Sequence, residues 1–137
     1  MQINLSEDMK LALNARNRSY VPYSKFTVGA VLKCKSGKRY IGCNIENHGI
    51  QSTCAERVAF LKAISEGEKE FEYIVVAGGK EKQGVEEECM PCGYCRQFMS
   101  EFVDKDFKIY TFDKKKIRQY SMDDILPYSF KFEKNDK

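Results

Sequence analysis

The chain lacks any apolar run long enough to cross a bilayer. Its first residues include Glu7 and Asp8 and contain no apolar core of the kind that a secretory signal needs. Neither sign of charge dominates, because 23 basic residues face 20 acidic ones and the lysines are interleaved with glutamates. These absences argue against a membrane span, a secretory signal and a nucleic-acid-binding surface. We therefore expect a cytoplasmic protein.

Internal repeats, linkers and low-complexity segments are also absent. Hydrophobic residues make up 42% of the 137-residue chain, which is typical of a folded globular protein. We expect a single domain over residues 1–137, with a charged, frayed tail at 131–137. The only histidine, His48, has no potential metal ligand at a regular spacing. In a cytoplasmic chain, the six cysteines indicate metal binding or burial rather than disulfide bonds.

The apolar pattern predicts helices that alternate with strands. A first helix follows Ser6, two more span Cys54–Glu66 and Cys92–Phe102, and a short one follows Ser121. Strands are predicted at Phe26–Cys34, Arg39–Ile45, Tyr73–Ala77, Phe107–Phe112 and Ile117–Tyr120. This order predicts an α/β fold, a three-layer α/β/α sandwich with a mixed five-stranded sheet. Both helices that begin with cysteine would then start at one edge of the sheet.

Three cysteines lie at the starts of these two helices. Cys54 opens the second helix, and Cys92 and Cys95 form a C-x-x-C motif at the start of the third. A helix N-terminus lowers the pKa of a thiol and favours the thiolate, the form that binds metal. Three sulfurs without an evident fourth ligand predict a zinc site with one position left for water, the catalytic arrangement.

Glu56 lies two residues after Cys54, close enough to reach that open position without being a ligand. The combined pattern C-x-E…P-C-x-x-C is the signature of zinc deaminases. In that chemistry Glu56 takes a proton from the activated water, which attacks C4 of a cytosine ring, and then returns protons to N3 and to the departing amino group. The alternative is a capping box, in which Thr53 and Glu56 only cap the helix.

Other interpretations of the cysteines stay open. Cys92 and Cys95 suit a redox pair, although that leaves Cys54 and Glu56 unexplained. Cys89 is a candidate fourth ligand for a purely structural zinc ion. Cys34 and Cys43 lie on the predicted hairpin and are expected to be small core residues.

The charge of such a site requires compensation. Three thiolates and Zn²⁺ sum to one net negative charge, which opposes the ionisation of a bound water. The two helix N-termini offset part of it, and Arg57 is predicted to donate hydrogen bonds to the thiolates. The alternative for Arg57 is a surface arginine on the helix, and Arg96 is a weaker candidate for the same role.

Further sequence blocks appear in one order along most of the chain. They are Tyr20–Ala30 (YVPYSKFTVGA), Gly42–Asn47 (GCNIEN), Cys54–Arg57 (CAER), Pro91–Gln97 (PCGYCRQ) and Leu126–Phe130 (LPYSF). As a set they resemble the small, homotetrameric cytidine deaminases. The resemblance implies one zinc ion per subunit and the hydrolysis of cytidine or deoxycytidine to uridine or deoxyuridine and ammonia, in pyrimidine salvage.

The resemblance also implies roles for particular residues. Phe26 would pack on the pyrimidine ring, and Asn44 and Glu46 would hydrogen-bond the ribose hydroxyls. The backbone of Ala55 would read the base edge, and Phe130 would approach a neighbouring subunit's site. An ionised Glu46 binds hydroxyls and repels phosphate, which favours a small-molecule nucleoside over a nucleotide or a nucleic acid. The alternative for Asn44 and Glu46 is a merely polar strand end.

The segment between Asn47 and Cys54 departs from the family pattern. It is one residue shorter than usual and places Ile50 near a position where the family carries an aromatic residue. Blasticidin deaminases share the zinc motifs and also shorten this region, so deamination of a modified cytosine nucleoside such as blasticidin S is an alternative. Deamination of RNA or DNA, and a zinc-stabilised binding module without activity, are further alternatives. His48 is either a substrate contact or an exposed loop residue.

Overall fold

The computed structural model describes residues 5–49, 51–114 and 116–132. In this part of the chain the strands are β1 (Phe26–Cys34), β2 (Arg39–Cys43), β3 (Phe71–Lys80), β4 (Lys108–Phe112) and β5 (Ile117–Ser121). The α-helices are α1 (Leu5–Ala15), α2 (Ala55–Ser65), α3 (Gly93–Ser100) and α4 (Met122–Ile125). The predicted order of elements is confirmed. Residues 133–137 of the predicted tail lie outside the described residues.

The five strands form one mixed sheet in the order β2-β1-β3-β4-β5. β1 runs antiparallel to both β2 and β3, and β4 runs parallel to β3 and antiparallel to β5. The parallel pair is joined through α3, as a crossover between parallel strands requires. The predicted mixed five-stranded sheet is therefore confirmed.

Helices cover both faces of the sheet because side chains alternate along each strand. Ala30 and Leu32 of β1 share a core with α2 and α3, in which Phe60 is fully buried. Val31, between them, points to the opposite face and packs in the core beneath α1. The three-layer α/β/α sandwich is confirmed. No helix in the described ranges has the length and apolar character of a membrane span.

The start of α2 lies against the backbone of β2. A Cβ atom at Gly42 would lie only 2.4 Å from the carbonyl oxygen of Ala55 and 2.8 Å from the backbone nitrogen of Ala59. The absence of a side chain on β2 therefore lets the first turn of α2 approach the sheet. This contact fixes the position of the helix that carries Cys54 and Glu56.

Substitution of Gly42 by alanine is expected to push α2 away from the sheet. Because the added methyl group meets backbone atoms, Gly42→Ala should lower the free energy of unfolding by about 1–3 kcal/mol. Gly84→Ala is the matched control, since no atom lies within 4 Å of its Cβ position. Urea denaturation of both variants measures the difference, and equal midpoints would contradict the proposed close packing.

Candidate metal centre and active site

Cys54 and Cys92 are the N-cap residues of α2 and α3. Both have extended backbone angles, with φ −72° and ψ 155° for Cys54 and φ −68° and ψ 167° for Cys92. Neither side chain makes a capping hydrogen bond, so both sulfurs remain available to another partner. Cys95 follows in the first turn of α3 and is fully buried. The two helix N-termini thus bring the three predicted ligands together.

The three sulfurs form one compact cluster. All lie within 4.8 Å of one another, and the Sγ atoms of Cys54 and Cys92 are 3.7 Å apart. Zinc–sulfur bonds of roughly 2.3 Å at tetrahedral angles place two sulfurs about 3.8 Å apart. The donor set and its spacing therefore fit a zinc ion with three sulfur ligands.

Cys89 lies outside this cluster of described residues. Its Sγ instead packs against Gly78, where a Cβ would lie 2.6 Å from it. Burial raises the pKa of the Cys89 thiol to about 12, and the charges of Glu56 and Cys54 add to the effect. The structure thus does not support Cys89 as a fourth ligand. Cys34 is buried, as predicted, and Cys43 is half-buried on β2.

The cysteine cluster favours one thiolate over its neighbours. A hydrogen bond from the Cys95 thiol stabilises the Cys54 thiolate, and interactions with Arg57 and Cys92 add to this effect. Together they outweigh the effect of burial and lower the pKa of Cys54 to about 5. The same interaction with Cys54, reinforced by burial, raises the pKa of Cys95. The cluster therefore holds a thiolate, the form of cysteine that binds metal.

Glu56 is 3% exposed and lies in the first turn of α2. The pKa of its carboxyl group is raised to about 7, mainly because the group is buried. The charge on Cys54 also raises this pKa, whereas a hydrogen bond to the backbone of Glu56 itself lowers it. Thr53 and Glu56 do not form the alternative capping box, because Cys54 is the N-cap of α2. A carboxyl group with a pKa near neutrality can both accept and donate a proton.

Arg57 reaches the cluster from α2. Its Nη2 donates to the Cys54 Sγ at 3.7 Å and to the carbonyl oxygen of Ser52 at 3.2 Å. Burial lowers the pKa of Arg57, but interactions with the Cys54 and Cys95 sulfurs raise it overall. The guanidinium carbon lies 4.0 Å from the centroid of the Tyr94 ring. This placement supports the predicted thiolate contact rather than a free surface arginine.

Arg96 makes a different set of contacts. Its Nε donates to the carbonyl oxygen of Pro91 at 2.7 Å, and its Nη1 donates to that of Ile125 at 2.9 Å. Arg96 therefore connects the loop before α3 to α4, and its described hydrogen bonds go to carbonyl groups rather than to sulfur.

Asn44 and Glu46 are engaged with the backbone. The Asn44 amide accepts from the N–H of Val28 and donates to the carbonyl of Phe26, both at 2.9 Å. Glu46 Oε1 accepts from the backbone N–H groups of Tyr23 at 3.1 Å and Ser24 at 3.2 Å. Hydrogen bonds, first from the Ser24 side chain, lower the pKa of Glu46 despite its desolvation. These contacts give both residues a structural role at the strand end, and Glu46 carries a charge.

Phe26 begins β1 and is 40% exposed. Its ring edge would lie 3.0 Å from a Cβ at Gly78, so Phe26 and Cys89 share the space beside this glycine. A cleft of about 320 Å³ opens next to Phe26. Its walls include Glu86, Glu87 and Glu88.

The remaining predicted residues are His48, Phe130, Ala55 and Ile50. Tyr23 and His48 share a hydrogen bond of 2.9 Å between the hydroxyl and Nδ1, and both are exposed. Phe130 is 63% exposed, and its ring contacts Phe132 edge-on at 4.9 Å between centroids. Ala55 is buried as the first residue of α2. Ile50 lies outside the described residues.

Sequence reasoning missed Tyr94 and Ser52, both of which contact Arg57. The signal for Tyr94 was present: an aromatic residue stands between the two cysteines of the C-x-x-C motif. The signal for Ser52 was absent, since its backbone carbonyl makes the contact. Any residue supplies such a carbonyl.

Comparison with known proteins shows which family the chain belongs to. A family model described as the cytidine and deoxycytidylate deaminase zinc-binding region matches residues 3–111. The chain belongs to this deaminase family. The finding confirms the resemblance seen in the sequence and the expectation of a zinc site.

Two sequence relatives and one solved structure match most of this chain and most of their own length. A cytidine deaminase of Sporosarcina psychrophila is 42% identical over 118 residues, 85% of this chain and 83% of the relative. One of Halalkalibacterium halodurans is 40% identical over 124 residues, 89% of this chain and 90% of the relative. The crystal structure of a cytidine deaminase from Burkholderia pseudomallei superposes with a TM-score of 0.84 at 34% identity, covering 93% of this chain and 100% of the other. The family's α/β fold is therefore that of this chain.

The lowered pKa of Cys54 predicts selective alkylation once metal has been removed by a chelator. The pKa of Cys54 is about 5, so its thiol is ionised at pH 6. Burial, and to a smaller extent Glu68, raises the pKa of Cys34 to about 12, so that thiol stays protonated. Iodoacetamide should therefore label Cys54 at least roughly tenfold faster than Cys34. Peptide mass spectrometry measures both rates. Added zinc should protect Cys54 and Cys92, and labelling that ignores zinc would contradict the ligand assignment.

Proposed function

We propose that this deaminase catalyses the zinc-dependent hydrolysis of cytidine and deoxycytidine to uridine or deoxyuridine and ammonia. The observation that carries the proposal is the buried carboxyl group of Glu56 beside a cluster of three cysteine sulfurs. The family match and the cytidine deaminases among the relatives support the choice of reaction.

The chain's own groups divide the work of this reaction. Cys54, Cys92 and Cys95 hold the zinc ion, which when bound supplies a water molecule of lowered pKa. Glu56 accepts a proton from the attacking water and delivers it to the ring N3. It then takes the second proton from the new C4 hydroxyl group and delivers it to the leaving amino group, so that C4 becomes a carbonyl and ammonia departs. Its pKa of about 7 suits both transfers, since one group must serve as base and then as acid. Arg57 offsets the negative charge of the sulfurs.

Substrate contacts follow the family pattern. Phe26 packs on the pyrimidine ring, the backbone of Ala55 reads the base edge, and Asn44 and Glu46 bind the ribose hydroxyls. The charge on Glu46 disfavours a phosphate group. This argues for a free nucleoside, with no role for nucleic acid. The resemblance to the cytidine deaminases is the basis for proposing a cytoplasmic enzyme of pyrimidine salvage.

Assembly as a homotetramer is part of the proposal. Tyr128, Phe130 and Phe132 are largely exposed on this single chain, and exposed aromatic clusters are typical of protein interfaces. In the assembly Phe130 approaches the site of a neighbouring subunit. Residues 1–137 act as one domain, and the proposed chemistry requires no side chain from the tail at 131–137.

Deamination of a modified cytosine nucleoside such as blasticidin S is the second candidate. The observation that favours it is the shortened segment before Cys54, where His48 is hydrogen-bonded to Tyr23 close to Glu46. Tyr23 also contacts Glu46, which is proposed to bind the ribose hydroxyls. Turnover of cytidine, deoxycytidine and blasticidin S by the same preparation separates the two candidates.

Replacement of Glu56 by glutamine should abolish most of the turnover while the protein keeps its zinc and its fold. Loss of a positioned acid and base lowers kcat by roughly 100- to 10,000-fold. The loss of absorbance as cytidine becomes uridine measures activity, and zinc content and circular dichroism measure the rest. Glu70→Gln is the matched control, because Glu70 is exposed beyond the far end of α2.

Two outcomes would contradict the enzyme proposal. One is that zinc-loaded wild-type protein converts none of the three nucleosides. The other is that Glu56→Gln retains wild-type turnover, in which case another group supplies the protons.

The oligomeric state has a direct test. Light scattering after size-exclusion chromatography should give about four times the chain mass of 15.9 kDa. Phe130→Ser should weaken assembly and lower activity together, because the residue acts on a neighbouring site. A monomeric wild-type protein with full activity would contradict the assembly.

A further inference from the structure

Tyr94 lies between the two cysteines of α3 and is 65% exposed. Its ring faces the guanidinium of Arg57, which belongs to the other cysteine-bearing helix, α2. The distance of 4.0 Å from the guanidinium carbon to the ring centroid is well within the range of a cation–π contact. The contact therefore joins the two helices that supply the sulfur cluster.

The contacts of Arg57 show what this stacking achieves. Its Nη2 serves both the Cys54 sulfur and the carbonyl oxygen of Ser52, at 3.7 Å and 3.2 Å. Its Nε is buried and has no hydrogen-bond partner in the described part of the chain. Hydrogen bonds along one edge leave the plane of a guanidinium free to tilt, and an aromatic ring on its face restricts that tilt. The ring also excludes water from one face, which strengthens the attraction between the guanidinium and a thiolate.

We infer that Tyr94 is a positioning residue of the metal centre: its ring holds the Arg57 guanidinium against the Cys54 sulfur and thereby stabilises the negatively charged ligand set. Tyr94 does not touch the metal or the substrate in this role. The inference rests on the zinc centre of the proposed function and is independent of which nucleoside reacts.

The contact predicts which property of Tyr94 matters. A cation–π contact needs the aromatic face, so phenylalanine should replace tyrosine, whereas leucine offers similar bulk without that face. If the hydroxyl group were responsible, phenylalanine and leucine would fail alike. If bulk alone were responsible, both would succeed.

The first measurement is the rate at which zinc-loaded protein releases its metal to a chromogenic chelator. A partly exposed cation–π contact corresponds to a change of roughly two- to fivefold. Tyr94→Leu should release zinc faster by about this factor, and Tyr94→Phe should match the wild type. Circular dichroism confirms that each variant is folded, as expected for an exposed side chain.

The second measurement asks whether Tyr94 acts through Arg57. Arg57→Gln alone should accelerate zinc release, and adding Tyr94→Leu to it should have no further effect. Cobalt-substituted protein provides a spectroscopic readout, because the sulfur-to-metal charge-transfer bands report the environment of the thiolates. Tyr94→Leu should shift these bands when Arg57 is present and leave them unchanged when it is combined with Arg57→Gln.

The inference is overturned if Tyr94→Leu releases zinc at the wild-type rate, if Tyr94→Phe is as impaired as Tyr94→Leu, or if the effect persists in the Arg57→Gln variant. None of these measurements requires turnover. A protein that binds zinc and fails to deaminate cytidine would contradict the proposed function and leave this test intact.

Discussion

Negative charge concentrated on three sulfurs is the constraint on which the rest of the site depends. One zinc ion cannot neutralise three thiolates, so the protein must supply positive potential around them. It does so with the N-termini of α2 and α3 and with the guanidinium of Arg57, 3.7 Å from Cys54. The same arrangement keeps Glu56 out of the ligand set and buried, where its pKa lies near neutrality. The charge around the sulfurs and the pKa of Glu56 thus both depend on the start of α2.

The fold positions this helix start through the sheet. Gly42 on β2 lets the first turn of α2 approach the strand, and Phe60 anchors the same helix in the core. α3 is the crossover helix between the parallel strands β3 and β4, and it lies on the same face of the sheet as α2. Neither cysteine motif could form the cluster alone, because Cys54 and Cys92 are 38 residues apart in sequence. The sheet is the part that brings them together.

Local patterns were enough to predict much of this arrangement. The bounds of β1 and the short helix after Ser121 follow from neighbouring residues, and both are confirmed. β3 is longer than its apolar run, since Gly78 and Gly79 pair with β1 where glycines suggested an end. β2 is shorter, because Ile45 forms isolated bridges to Tyr20 and Thr53 instead of continuing the ladder.

Long-range contacts were beyond the sequence for a physical reason. The contact between Tyr94 and Arg57, and the bonds of Glu46 to the Tyr23–Ser24 backbone, join segments whose separation depends on the whole packed sheet. Periodicity reports which side of an element is buried, but not which residue of another element it meets. The zinc motif was predictable because each half carries its chemistry in consecutive residues.

Arg96 connects two parts of the chain that are far apart in sequence, the loop before α3 and the helix α4. One guanidinium bonds both Pro91, just ahead of Cys92, and Ile125, at the end of α4. Arg96 therefore ties α4, the last helix among the described residues, to the loop that leads into α3. An opening that detached α4 would break one of these two bonds and so loosen the arginine that also holds the carbonyl of Pro91, the residue before Cys92.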